Sequence, residues 1–247
     1  MYRVILFIIT LTSIYACHYN SHESRYPLSP NQIIVEDRYN VAFLIMDGVY
    51  NTELTAPFDI FQHTQFRKGI KQMNTFLVAK TMDVVTSFEG IRLLPDFSYR
   101  DGHLPRIDIL VVPSAEHHID SDLDDGEMIA FVQKVDRDAI YMTSHCDGAF
   151  VLAKAGLLDQ VSSTTFPADI DEYKRKFPSL QVMTDVLFVH DGKYITSAGG
   201  AKSFEASLYV AELLYGPEVA RSISAGLVID WDLAHVAHHI GSNATGR

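Results

Sequence analysis

The chain has 247 residues, 47% of them hydrophobic and 21% charged, with a formal net charge of −11. That length can bury one large core or two small ones. The acidity excludes a basic nucleic-acid footprint and general adhesion to anionic lipid, and the two cysteines, Cys17 and Cys146, exclude any disulfide framework beyond one bridge.

Residues 1–16 read as a secretory signal: one positive charge at Arg3, then an apolar run from Val4 to Ile14. The run is too short to span a bilayer, which needs about 20 residues. Ile14, Tyr15, Ala16 and Cys17 are similar to a bacterial lipobox, although Tyr15 is bulkier than the usual residue there. This predicts an exported protein, periplasmic or membrane-anchored, with a lipid on Cys17. Residues 17–36 are polar, carry Pro27 and Pro30, and read as a tether; residues 37–247 form the domain.

Val41–Met46 is a continuous apolar run, the pattern of a strand buried in a parallel sheet. Thr52–Phe66 has helical spacing of Leu54, Phe58, Phe61 and Phe66. Thr75–Ala79 is a second strand and Val84–Leu94 a small hairpin about Glu89 and Gly90. Ile107–Val112 is another strand, followed by a helix over Asp125–Val135 and a strand over Ala139–Thr143. Ala149–Ala155 begins the next helix, and Glu172–Phe177 is a short charged one. Strands follow over Gln181–Met183, Val186–His190 and Lys193–Thr196, then helices over Ser203–Leu214 and Glu218–Ala225, with the end from Gly241 frayed. Strands alternating with helices indicate an α/β layered fold with a mostly parallel sheet. Gly199 and Gly200 read as a plain strand-to-helix turn rather than a phosphate loop.

Cys146 stands where strand passes to helix, with Gly148 two residues on. Such an elbow exposes a nucleophile at the carboxyl edge of the sheet and points a helix N-terminus at it, which favours a thiolate. A buried structural cysteine is the bland alternative. In parallel α/β folds ligands bind at the carboxyl ends of the strands. Those ends also carry Asp47, Asn51, Thr52 and Glu53, the segment Ser114–His118, and Ser197 onward. Glu53 at a helix start is either a dipole partner or a functional carboxylate. His117 and His118 are acid–base or metal candidates, but adjacent histidines diverge, so a solvated loop is the better reading. His145 should point away from Cys146. Asp230, Asp232, His235, His238 and His239 have no evident chemistry.

The stretch from Thr143 to Asp159 resembles the cysteine elbow of the ThiJ/PfpI family, in the class I glutamine-amidotransferase-like superfamily. Phe177-Pro178, Asp185–Gly192 and Ile195–Gly200 continue the likeness, and Glu53–Pro57 with Asp59 is similar to the family's acidic helix start. The branch resembled is that of isonitrile hydratases and the ligand domains of AraC-type regulators, over roughly residues 40–230. The resemblance implies a three-layer flavodoxin-like sandwich, a nucleophilic Cys146 bonded to Glu53, and a homodimer.

Three positions depart from the family pattern. Thr164 and Thr165 are followed by Phe166, where many relatives carry a histidine, so an amidotransferase triad is in doubt. Ser114 and Ala115 replace glycines of the oxyanion loop. Asp147 follows the nucleophile and should oppose a thiolate unless it turns outward to cap the helix. No DNA-binding domain follows the core, which leads away from a one-chain transcription factor. The reading is a cysteine-dependent hydratase or hydrolase for a small electrophile of isonitrile or α-oxoaldehyde type. Cys146 and Glu53 would be catalytic, with oxyanion or substrate contacts at Ser114, Ala115, Asp147 and His117. It requires no metal or organic cofactor. The alternative is a redox-sensing or small-ligand-binding protein of the same fold.

Overall fold

Val41, Ala42, Phe43 and Leu44 are all but inaccessible, so strand β1 (Tyr39–Leu44) is covered on both faces. In the computed structural model, which describes residues 34–244, β1 lies inside an eight-stranded sheet. The other members are β2 (Met73–Ala79), β5 (Phe97–Ser98), β6 (Ile109–Val112), β7 (Tyr141–His145), β10 (Phe188–Asp191), β11 (Tyr194–Ser197) and β12 (His238–Ile240). Their order is β12-β10-β11-β7-β6-β1-β2-β5. All neighbours run parallel except β10 and β11, a hairpin closed at Gly192. Two small pairs stand apart: β3 (Val85–Thr86) with β4 (Arg92–Leu93), and β8 (Ser162–Ser163) with β9 (Gln181–Val182).

The pleat sorts alternate residues into two cores. Val41, Phe43 and Ile45 meet one helical layer: α1 (Asn51–Gln62), α5 (Ser203–Tyr215) and α6 (Pro217–Gly226). Ala42 and Leu44 meet the other: α2 (Gly126–Asp136), α3 (Gly148–Lys154) and α4 (Ile170–Lys176). The result is a three-layer, mostly parallel α/β sandwich, as expected. Among the described residues no helix is long and apolar enough to cross a membrane. The signal, Cys17 and most of the tether lie outside the described residues; Val35, near the tether's end, exchanges two hydrogen bonds with Asn74.

Expected elements are present with shifted bounds; α1, for example, ends at Gln62 and continues as a 3-10 turn over His63–Phe66. Strands β5, β8 and β12 lie outside those expectations, since two or three residues with at most one apolar among them carry no periodic signal. The chain from Gly241 is not frayed at once. Gly241 donates its N–H to His190 O and Asn243 donates to Asp191 Oδ1, fixing the tail through residue 243. A Cβ on Gly241 would lie 2.1 Å from Asp191 Cγ, so only glycine permits that approach.

Candidate active site

The carboxyl ends of β11, β7, β6 and β1 are consecutive across the sheet, and Cys146 leaves the end of β7. Its φ is 51°, a left-handed conformation that costs a non-glycine residue on the order of 1–3 kcal/mol. The surroundings hold it there. Its N–H donates to Ser197 O at 2.9 Å, and its own carbonyl accepts from Thr165 Oγ1 at 3.0 Å. Two glycines make room. A Cβ on Gly148 would lie 2.1 Å from Val112 O, so the elbow helix touches the end of β6 directly. A Cβ on Gly199 would lie 2.4 Å from Cys146 Cβ and 2.8 Å from Glu53 Oε1. Gly199 and Gly200 thus form a site wall rather than a plain turn.

Glu53 is 5% exposed, in the first turn of α1. Its Oε2 accepts from Ser114 N at 3.1 Å and its Oε1 from Gly200 N at 3.0 Å. Burial raises its pKa; the two backbone donors and the neighbouring thiol oppose that rise. Three strand ends therefore meet at this carboxyl, which reads as a site member rather than a dipole partner.

The thiol differs from expectation. Cys146 is 7% exposed. Burial first, then the charges of Glu53 and Asp147, push its pKa well above the ordinary thiol value. The helix N-terminus does not win, because α3 has only seven residues and its partial charge faces two carboxylates. Asp147 makes no side-chain cap on that helix. It turns toward the site: Oδ2 accepts from Cys146 Sγ at 3.7 Å and Oδ1 from Thr165 Oγ1 at 3.1 Å. Its carboxyl is pushed up to about 7 by burial and then by Asp169. The Asp147 backbone N–H and the Ser114 side chain favour the thiolate. Ser114 Oγ is nevertheless buried without a partner of ordinary hydrogen-bond geometry.

The oxyanion loop also departs from expectation. The Ala115 N–H is not free for substrate; it donates to His118 Nδ1 at 3.1 Å. His117 is 54% exposed and its neighbours are Asp120 and Glu116, not Cys146 or Glu53. His118 is 1% exposed rather than solvated. Burial lowers its pKa to about 3, so it is a neutral acceptor that shapes the loop. His145 is likewise buried, lowered to about 3 by burial, and bonds Ser197 Oγ at 2.9 Å, away from the thiol. Among the described residues no group of three or more His, Cys, Asp or Glu is placed to hold a metal ion.

A DJ-1/PfpI family model matches residues 39–213, which holds all of the site just described. The chain belongs to the DJ-1/PfpI family. Among curated family relatives it is similar to isonitrile hydratase of Pseudomonas putida, 28% identical over 76% of this chain and 77% of that protein. It is also similar to the HTH-type transcriptional regulator CdhR of Pseudomonas aeruginosa, 35% identical, but over only 41% of this chain and 30% of the regulator. Among solved family structures, a ThiJ/PfpI protein from Pseudomonas syringae superposes with a TM-score of 0.69 at 25% identity, covering 85% of this chain and 84% of that one.

Several site members escaped the sequence. Tyr50, just before α1, is raised in pKa by burial and then by Cys146, Glu116, Glu53 and Asp147, so it borders the same space. It packs on Phe88 of the β3–β4 hairpin with ring centroids 4.6 Å apart. Glu89 of that hairpin accepts from Asn51 N at 3.0 Å. The hairpin therefore flanks the α1 start, a contact no local pattern announces. Thr165 was visible only as the neighbour of a missing histidine.

Proposed function

We propose that this protein is a cysteine-dependent hydratase for a small, neutral electrophile, with isonitriles as the first class and α-oxoaldehydes as the second. The observation that carries the reading is the strained Cys146 elbow beside a buried Glu53 that is held by backbone N–H groups from two other strand ends. A strained, enclosed nucleophile with an oriented carboxyl fits addition to an electrophilic carbon. The similarity to isonitrile hydratase along most of both chains supports the same class. Amide hydrolysis fits less well. Phe166 stands at the histidine position, and His118 and His145 are buried and neutral.

Charge narrows the substrate further. The charges acting most strongly on Glu53, Cys146 and Asp147 are acidic: Glu89, Glu53, Asp147 and Asp169. An anionic substrate would meet repulsion there. The test is a panel of isonitriles, α-oxoaldehydes, α-oxoacids and amides on the wild type, Cys146→Ala and Glu53→Gln. Turnover of the neutral electrophiles that both substitutions abolish supports the reading. Cys146-dependent amide hydrolysis as the fastest reaction overturns it.

The second reading is a non-catalytic ligand-binding protein, favoured by the likeness to CdhR and the low exposure of Cys146. Loss of all Cys146-dependent turnover would move the assignment there. Its redox-sensing form is weaker, because a sulfinate at Cys146 would be a third anion beside Glu53 and Asp147. Export and lipidation rest on residues 1–17 alone; fractionation of cells expressing wild type and Cys17→Ser tests them. A homodimer remains an inference from the family, tested by sedimentation.

A further inference from the structure

Asp147 differs from Glu53 in how it is held. Glu53 receives one backbone N–H on each oxygen, a fixed arrangement that suits orientation. Asp147 has one oxygen on the Thr165 hydroxyl and the other facing Cys146 Sγ at 3.7 Å. Thr165 Oγ1 also lies 3.0 Å from the Cys146 carbonyl, so its single hydroxyl proton is shared between that carbonyl and Asp147 Oδ1 and ties the carboxyl to the elbow. An aspartate at this helix start would ordinarily cap it; this one makes no cap contact and keeps an oxygen on the sulfur instead. No histidine contacts the thiol to do that work: His117 is exposed, and His118 and His145 are committed elsewhere.

We propose that the Asp147 carboxylate is the proton carrier of the Cys146 thiol, positioned by Thr165. As sulfur attacks, the S–H bond breaks and its proton moves to Asp147 Oδ2, so that no free thiolate accumulates beside two carboxylates. The later steps rest on the hydratase reading; the thiol-to-Asp147 transfer does not. With an isonitrile, sulfur bonds the terminal carbon, and the proton passes from Asp147 to that carbon, giving a thioimidate. Water then bonds the same carbon while its proton goes through Asp147 to nitrogen. The C–S bond breaks, sulfur leaves with its electron pair, and the remaining hydroxyl proton returns through Asp147 to the thiol. The sum is isonitrile plus water to an N-substituted formamide, with no external oxidant or reductant.

The side chains that act on Asp147 are Cys146 from the elbow, Thr165 and Asp169 from the segment after β8, and Glu53 from α1; Tyr50, before α1, is coupled to it as well. Burial and the acidic neighbours place its carboxyl near neutrality, at about 7, where a general base serves best.

The test is the pH dependence of iodoacetamide alkylation, followed on the Cys146 peptide of the full chain by mass spectrometry. The wild-type rate should rise through a step near pH 7 as Asp147 ionises and becomes able to accept the thiol proton. In Asp147→Asn that step should vanish, leaving only the rise from direct thiol ionisation. In Thr165→Val, which keeps the carboxyl but removes the hydroxyl that lowers its pKa, the step should move to higher pH. A step that persists in Asp147→Asn, or is absent from the wild type, overturns the proposal. Should Asp147→Asn not fold, an unmoved step in Thr165→Val overturns it. Where the wild type turns over an isonitrile, Asp147→Asn should lose about 100-fold or more in kcat/KM, and undiminished turnover overturns the proposal. Absence of turnover in the wild type counts against the hydratase reading alone, because the alkylation profile still decides the role of Asp147.

Discussion

Gly199 stands against Cys146 so closely that a side chain on it would collide with both the Cys146 Cβ and the Glu53 carboxyl, at 2.4 and 2.8 Å. Its φ of 79° also disfavours any L side chain. Gly199→Ala should therefore cost about 1–3 kcal/mol and displace Cys146 or Glu53. Urea denaturation reads the first effect and alkylation at Cys146 the second. A variant of wild-type stability and thiol reactivity would mean the loop moves aside without consequence.

Ser114→Ala should separate stability from reactivity. The Ser114 hydroxyl is buried without a good hydrogen-bond partner, and a polar group in that state adds little or nothing to folding. The alanine variant should hold its stability to within about 0.5 kcal/mol or gain slightly. Alkylation of Cys146 should slow, since that side chain favours the thiolate. Slower alkylation with intact stability is the expected pair of results; faster alkylation would contradict the placement.

Stability should fall as pH rises toward neutrality. Asp147 titrates at about 7 when folded and near 4 when unfolded. Below about pH 4 both states hold the proton, and its contribution is fully present. Between about 4 and 7 only the folded state holds it, so folding loses on the order of 1 kcal/mol per pH unit. Glu53, also raised by burial, adds in the same direction. Urea midpoints at pH 5 and pH 7.5 should favour the acidic condition, and Asp147→Asn should flatten the difference. Equal slopes in the two proteins would show that Asp147 is not the group responsible.

Gly241→Ala should loosen the edge strand. A Cβ there overlaps Asp191, while β12 is held by the Leu187 N–H to Ala237 O and the Gly241 N–H to His190 O. The expected loss is about 1–3 kcal/mol, with faster hydrogen exchange at the Leu187 amide. Unchanged exchange at that amide would show that the strand absorbs the extra methyl.

The buried strands were legible because β1, β2 and β6 each contain an uninterrupted apolar run, such as Val41–Leu44, Phe76–Ala79 and Ile109–Val112, and the elbow because a glycine stands two residues past the cysteine at a strand-to-helix switch. Glu53 was legible as a candidate from its place at a helix start. The direction of the thiol shift was not. It depends on burial and on the facing of Asp147, which a local helix-dipole argument ignores. Ala115 failed for a similar reason: its N–H was available by sequence, but His118 three residues on folds back to take it. The role of Gly199 depends on β11 and β7 being neighbours, a fact of sheet order that no run of residues encodes. Strand β12, with two histidines and a single apolar residue, Ile240, carries no apolar run; its pairing becomes visible only with β10 beside it.

The wedged glycines decide where this site can be re-engineered. Gly148 and Gly199 admit no side chain without moving backbone or Cys146, so most substitutions at either position should displace the elbow. Freedom lies on the rim instead. Phe88 is 51% exposed and Phe166 40% exposed, and both are attached to the site through neighbours, Tyr50 and Thr165, rather than through the nucleophile itself. On the hydratase reading, selection for a new electrophile would therefore spread across the β3–β4 hairpin and the Phe166 segment while the elbow stayed invariant, a division between a frozen scaffold and a mutable mouth.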